Sequence, residues 1–367
     1  TAFTNAASLK KVTLGKGAKL GKMAFYNNAS LEEIDLSAVT ELGDYAMSGD
    51  VYYMCLDDQM SVAAVDNTGH YMYTYHSPRI KKADLSAAKS VGEYAFAYCR
   101  DMVSVKLNDK ITEIKPYTFA GCEKLQSIVI PEGVTAIPDH AFSGLETLTS
   151  VTFPSTLTVI GAHAFFGCTG LQSIALPGHL TELGSYAFGD CIGLTSVTLP
   201  DDLTTIDSYA FKACSNLTSV TLPVRWAQAG SGIFYEWEKL TSISVPEGIA
   251  ILPNRAFQQC SYLQTVTLPD SLTTIGYAAF NGCSALKTIN FPAGLKTIES
   301  HAFDACNGLK DVIMPDGLAE LGDYAFGSCS LLTSVVLPDS LTTIGKWAFQ
   351  NCGTLISVTF GKNLEII

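Results

Sequence analysis

Apolar and polar positions alternate along the chain with a period of 23 residues. Phe96, Phe119, Phe142, Phe165, Phe188, Phe211, Phe234, Phe257, Phe280, Phe303, Phe326 and Phe349 are spaced by 23 without a slip. Ten prolines, from Pro131 to Pro338, form a second column in the same register. One unit, Leu331–Cys352, reads LLTSVVLPDSLTTIGKWAFQNC, which is L-x-x-V-x-L-P-x-x-L-x-x-I-G-x-x-A-F-x-x-C from Leu332. Leu332, Val335 and Leu337 predict a short strand with one buried face. Pro338 ends it, having no N–H for a ladder. Leu341 and Ile344 are expected to turn inward, and Gly345 to permit a corner. Ala348, Phe349 and Cys352 have the spacing of one helical or 3₁₀ turn packed on the core.

One such unit cannot bury its apolar face alone. Stacked neighbours must cover it, which is the logic of a solenoid. The expected fold is a solenoid of stacked coils. A stacked parallel β-sheet forms one concave face, and turns and 3₁₀ or helical turns form the other. A single domain of about sixteen coils is expected over residues 1–367. Residues 1–95 carry irregular repeats of 22–27 residues, with Phe3, Phe25 and Met47 spaced by 22, and 96–367 the regular ones. Two units, Ile34–Met47 and Ala83–Phe96, lack the proline, and residues 48–73 read as a degenerate unit between them. The chain starts inside a repeat at Thr1-Ala2-Phe3 and stops at Leu364–Ile367, with no polar capping repeat. A piece of a longer protein is expected, with any signal or anchor outside it.

The unit resembles the BspA-type leucine-rich repeat, a 23-residue class of bacterial surface proteins, over nearly the whole chain. It departs from the general leucine-rich pattern in having its cysteine after the Ala-Phe pair rather than following the strand. The resemblance implies a non-catalytic cell-surface binding or adhesion module for a host matrix protein, mucin or glycan. A structural spacer that presents another domain is the alternative.

Composition narrows the chemistry. A net charge of −12 argues against general nucleic-acid or anionic-membrane binding. No apolar run reaches the roughly 18–20 residues that span a bilayer. A monomer is expected. Ten of the eleven cysteines fall on the 23-residue register and only Cys55 lies off it, so they read as a buried core column, not as disulfides or a metal set. In an exported protein ten unpaired column thiols suit either deep burial or an anaerobic habitat, and a cytosolic location is also compatible. No catalytic motif, metal site or cofactor site rises above the repeat. His140, His163 and His301 alternate with tyrosines two residues before the column Phe.

Four features are candidates for binding. The outward strand residues from Leu125 on are Ser or Thr at 16 of 22 places, fit either to contact glycans or to form cross-strand hydroxyl ladders. The residue after the column proline is often acidic, as in Glu132, Asp201 and Asp339, which suits turn chemistry or a Ca²⁺ column. In Val224–Lys239, Trp226 replaces a Leu and Trp237 the Cys, either as repacked core or as an aromatic patch, and Tyr235 and Phe166 share one further column. Finally, Tyr71, Tyr73 and Tyr75 either line one face of a projecting hairpin or fill core columns.

Overall fold

A computed structural model describes residues 2–49, 78–207, 209–223, 234, 237 and 239–365. The chain forms two compact units, Thr1–Leu157 with His163–Gly170, and Thr158–Ala162 with Leu171–Ile367. A repeat with one unbroken register carries no mark of that division. Each unit is a parallel β-solenoid of the leucine-rich-repeat class. Its strands are two or three residues long, and every pairing among the described residues that is resolved in register is parallel between equivalent positions of successive coils.

Most regular coils carry two strand positions where the apolar pattern predicts one. The first is the expected Ser-Val-Thr strand. In the second unit Ser173–Ala175, Ser196–Thr198 and Ser219–Thr221 pair in strict register. Their central residues face the core, while Ser and Thr face solvent. The second is a two-residue strand before the glycine: Val159–Ile160, Glu182–Leu183 and Thr205–Ile206 form one such ladder. Two residues are too few to show a period of two, so this ladder left no trace in the pattern.

The predicted helical or 3₁₀ turn around the Ala-Phe pair is absent: no residue described there is helical. Overlapping tight turns replace it. Ala348 N–H donates to Gly345 O at 3.3 Å, Gln350 N–H to Trp347 O at 2.9 Å and Cys352 N–H to Phe349 O at 3.4 Å. The first and last place a left-handed residue third, at Trp347 (φ 56°) and Asn351 (φ 59°), which no α-helix accepts. The same two positions are left-handed in coil after coil, at Tyr117 and Gly121 or His301 and Ala305. A non-glycine residue pays roughly 1–2 kcal/mol there. The cost is met by a third ladder. The turn N–H groups reach the next coil, as in Tyr98 N–H to Ala120 O at 2.7 Å and Phe119 N–H to Ala141 O at 3.0 Å. Gly345 serves close approach rather than a special dihedral: a Cβ there would lie 2.3 Å from the Gly322 carbonyl carbon.

The column phenylalanines stack face to face, for example Phe119 on Phe142 at 5.7 Å and 4°, and Phe303 on Phe326 at 5.0 Å and 8°. The cysteines are hydrogen-bond donors within this core. Cys122 Sγ donates to Phe96 O at 3.1 Å and Cys260 Sγ to Phe234 O at 3.2 Å. Two other residue types fill the same role. Asn28 Nδ2 donates to Phe3 O at 2.8 Å, and Trp237 Nε1 to Phe211 O at 3.1 Å. The column therefore selects a buried donor for the preceding Phe carbonyl, an obligation that any buried backbone acceptor imposes.

Near the start of the first unit the spacing changes. Lys19–Leu20 pairs with Glu41–Leu42, 22 residues on. Glu41–Leu42 then pairs directly with Ser90–Val91, 49 residues on. Tyr45 stacks on Tyr94 at 4.7 Å, and Gly49 N–H donates to Ala97 O at 2.8 Å. The coils on either side of the supposed degenerate unit are thus direct neighbours. Most of that unit, with residues 50–77, lies outside the described residues.

Candidate binding surface

The two sides of each coil offer different chemistry. On the turn side, the left-handed column before Phe carries rings that stack on one another. In the first unit Tyr94, Tyr117, His140 and His163 follow at 4.5–4.6 Å and within 7° of parallel. Phe166 is half-buried with its ring tilted against His163 at 5.5 Å. Burial, then the neighbouring His163, holds the His140 imidazolium below its ordinary pKa. These rings spend their faces on each other. Trp237 is fully buried, so it is core and not part of a surface patch. Trp226, Tyr235, Tyr71, Tyr73 and Tyr75 lie outside the described residues.

On the strand side, hydroxyls divide into two sets. Those just before the strand donate along the stack: Thr195 Oγ1 to Gln172 O at 3.1 Å, Thr218 Oγ1 to Thr195 O at 3.0 Å. The outward ones within the strands, Ser173, Ser196, Thr198, Ser219 and Thr221, are exposed and make no side-chain hydrogen bond among the described residues. The hydroxyl ladder exists, but one position earlier than expected, and it leaves the strand hydroxyls open. A shallow trough of about 880 Å³ runs over them in the second unit. Exposed Ala175 and half-buried Leu176 give it a small aliphatic surface over the buried Leu199 and Leu222, and Asp201, Asp202 and His179 line it as well. His179 Nδ1 lies 3.1 Å from Asp202 Oδ2.

The strand side of the first unit differs over residues 11–106. Its trough, about 910 Å³, is lined by Lys11, Glu33, Lys82, Asp101 and Lys124 among others. Lys11 Nζ meets Glu33 at 2.6 Å, and that hydrogen bond raises the lysine pKa. Lys124 meets Asp101. In the proline-free units Ser37 and Ser86 have an N–H that proline would lack. Asp35 and Asp84 accept it, each at 2.9 Å, and their pKa values fall through the serine hydroxyl and backbone bonds.

Acidic residues after the column proline bond instead to the N–H of the equivalent position in the next coil. Glu132 Oε2 accepts Ser155 N–H at 3.0 Å, and Asp339 Oδ1 accepts Lys362 N–H at 2.9 Å. Among the described residues no cluster of three or more His, Cys, Asp or Glu could hold a metal ion. The column thiols are poor nucleophiles, because burial pushes Cys122, Cys168 and Cys260 up to about 12 and keeps them protonated. Among the described residues no helix is long and apolar enough to cross a membrane.

Repeat, ladder and core columns together define a leucine-rich-repeat protein. The chain belongs to the BspA type leucine rich repeat region family, whose model matches in six copies over residues 1–54, 68–192, 135–264 and 251–367. Solenoids of this family are generally non-catalytic. Among solved structures, the chain is similar to a leucine-rich repeat protein from Bacteroides ovatus at 27% identity, over 73% of this chain and 85% of that one, with a TM-score of 0.40. It is also similar to a leucine rich cell surface protein from Faecalibacterium prausnitzii at 24% identity, over 97% and 91%, with a TM-score of 0.44. The pneumococcal vaccine antigen PcpA matches at 18% identity, over 99% and 79%, with a TM-score of 0.46. No curated protein sequence gives a significant match.

Proposed function

We propose that this chain is a non-catalytic binding module of the bacterial cell surface that recognises a host matrix protein, mucin or glycan. The observation that carries the reading is the strand side of the second unit. Solvent-facing hydroxyls that make no side-chain hydrogen bond among the described residues stand there in register along a trough. Polar groups left open on a rigid scaffold are what a recognition surface requires. The family match supports the class. Tyr71, Tyr73, Tyr75, Trp226 and Tyr235 are further aromatic contacts in this reading, and Phe166 is at most an edge contact.

Binding of the purified chain to fibronectin, mucin and a glycan panel, with Ca²⁺ and with chelator, tests it. A saturable hit is expected, together with cleavage of the protein by protease added to intact cells. A chain that binds nothing favours the alternative, a spacer presenting another domain. A chain protected in intact cells contradicts the surface assignment.

A further inference from the structure

We infer that the trough over Ser173–Leu222 is a site for a neutral, extended glycan chain. The inference rests on the binding-module reading and names the ligand class for it. Charge is the first observation. Among the described residues, the charged or titratable groups that line the trough are two carboxylates and a carboxylate-paired histidine, with no Lys or Arg. An anionic ligand such as a sulfated or sialylated chain would meet repulsion there. The second observation is the side-chain type. Among the described residues the lining holds no Trp, Tyr or Arg, the residues that anchor protein partners. The third is valence. Ser196, Thr198 and Thr221 each offer a donor and acceptors with no competing partner, and Asp201 adds an acceptor-only group. A sugar hydroxyl needs that mixture.

The fourth is the aliphatic surface of exposed Ala175 and half-buried Leu176 beside the hydroxyls. A pyranose ring has an apolar C–H face and a polar rim, and a surface that pairs aliphatic with hydroxyl groups matches both. Finally, equivalent hydroxyls repeat once per coil, at a strand spacing of about 4.8 Å. That is close to the advance of one ring along an extended β-linked chain. A glycan lying along the stack would present the same group to Ser173 and then Ser196, and to Thr198 and then Thr221. Each contact is weak alone, so affinity comes from repetition.

Native affinity electrophoresis of the full chain in gels containing soluble β-glucan or mannan tests this, with heparin gels and a fibronectin binding assay in parallel. Retardation by a neutral polysaccharide is expected. Ser196→Ala/Thr198→Val/Thr221→Val should weaken it by more than about tenfold, as the loss of two or three hydrogen bonds implies. Asp201→Asn, a single exposed-turn change, should weaken it severalfold, and Glu33→Gln in the first unit should leave it unchanged. Binding to fibronectin or heparin without retardation by neutral polysaccharide overturns the inference but leaves the binding-module reading intact. Retardation unchanged in both trough variants also overturns it. A chain that binds none of the probes removes both.

Discussion

The strand sides of the two units have the same backbone and opposite chemistry. In the first unit, over residues 11–106, outward groups are charged and satisfy one another. Lys11 pairs with Glu33, Lys124 with Asp101, and Asp35 and Asp84 cap the serine N–H groups that replace proline. In the second unit the outward strand groups at the trough are neutral hydroxyls that make no side-chain hydrogen bond among the described residues, flanked by Asp201 and the His179–Asp202 pair. Register is identical in kind, because it is set by inward Val, Ile and Phe columns that both units share. Outward positions are therefore free to vary, and the difference between a closed and an open polar surface is where binding chemistry enters.

If the core is common to both units, it should respond equally in both. Phe119→Ala in the first and Phe280→Ala in the second remove fully buried, stacked rings. Each should cost about 3–5 kcal/mol, read from urea unfolding midpoints. A much smaller cost in one unit would break the equivalence. Trp237→Phe keeps most of the volume but removes the donor to Phe211 O. A loss of about 1–3 kcal/mol is expected, whereas no loss would mean that the column selects shape, not a donor.

The left-handed position after Phe gives a finer contrast. The first unit uses Gly144, where a Cβ would meet only an ordinary contact at 3.6 Å, and the second uses Ala305 at φ 58°. Gly144→Ala should destabilise and Ala305→Gly should stabilise, each by about 1 kcal/mol in thermal unfolding.

A pH effect separates the ring columns. The folded pKa of His140 is depressed, so its contribution to stability is present above the ordinary histidine value of about 6.5 and is lost as pH falls below it. The melting temperature should decline modestly from pH 7 towards 5, and His140→Tyr, the residue other coils use, should flatten the decline. An unchanged slope in that variant would assign the decline elsewhere. The smallest effect belongs to the longest change. Deleting residues 51–77 brings the Met47–Phe96 spacing to the 22 of the neighbouring coils. Since those coils already pair directly, a melting temperature within a few degrees of the parent is expected, and loss of cooperative unfolding would show that the segment supports the ladder.

Much of this architecture is legible in the residues, for a physical reason. Inward columns repeat because each side chain packs on its own equivalent, so Phe, Leu and Cys recur in register. The turns were misread because their left-handed positions are held by Tyr, His, Arg and Trp as well as Gly, so no glycine pair marks them. Trp237 was legible as a Cys substitute, but its role as a donor needed the Phe211 carbonyl in view. The open hydroxyls could be counted along the chain. Which ones bond is invisible there, because Thr195 and Ser196 differ only in which carbonyl lies beside them. The trough depends on turn residues such as His179 and Asp202, 23 positions apart and joined only by the stack.

Hydroxyl-radical footprinting of the full chain, with and without a saturating polysaccharide identified by retardation, tests most directly whether the strand side is the binding side. Reporters on the two sides are His179 and Leu176 at the trough, and Tyr277 and Trp347 in the turns. Protection of His179 and Leu176 with Tyr277 and Trp347 unchanged is the expected result. Protection confined to Tyr277 and Trp347 would contradict it and move recognition to the ring columns.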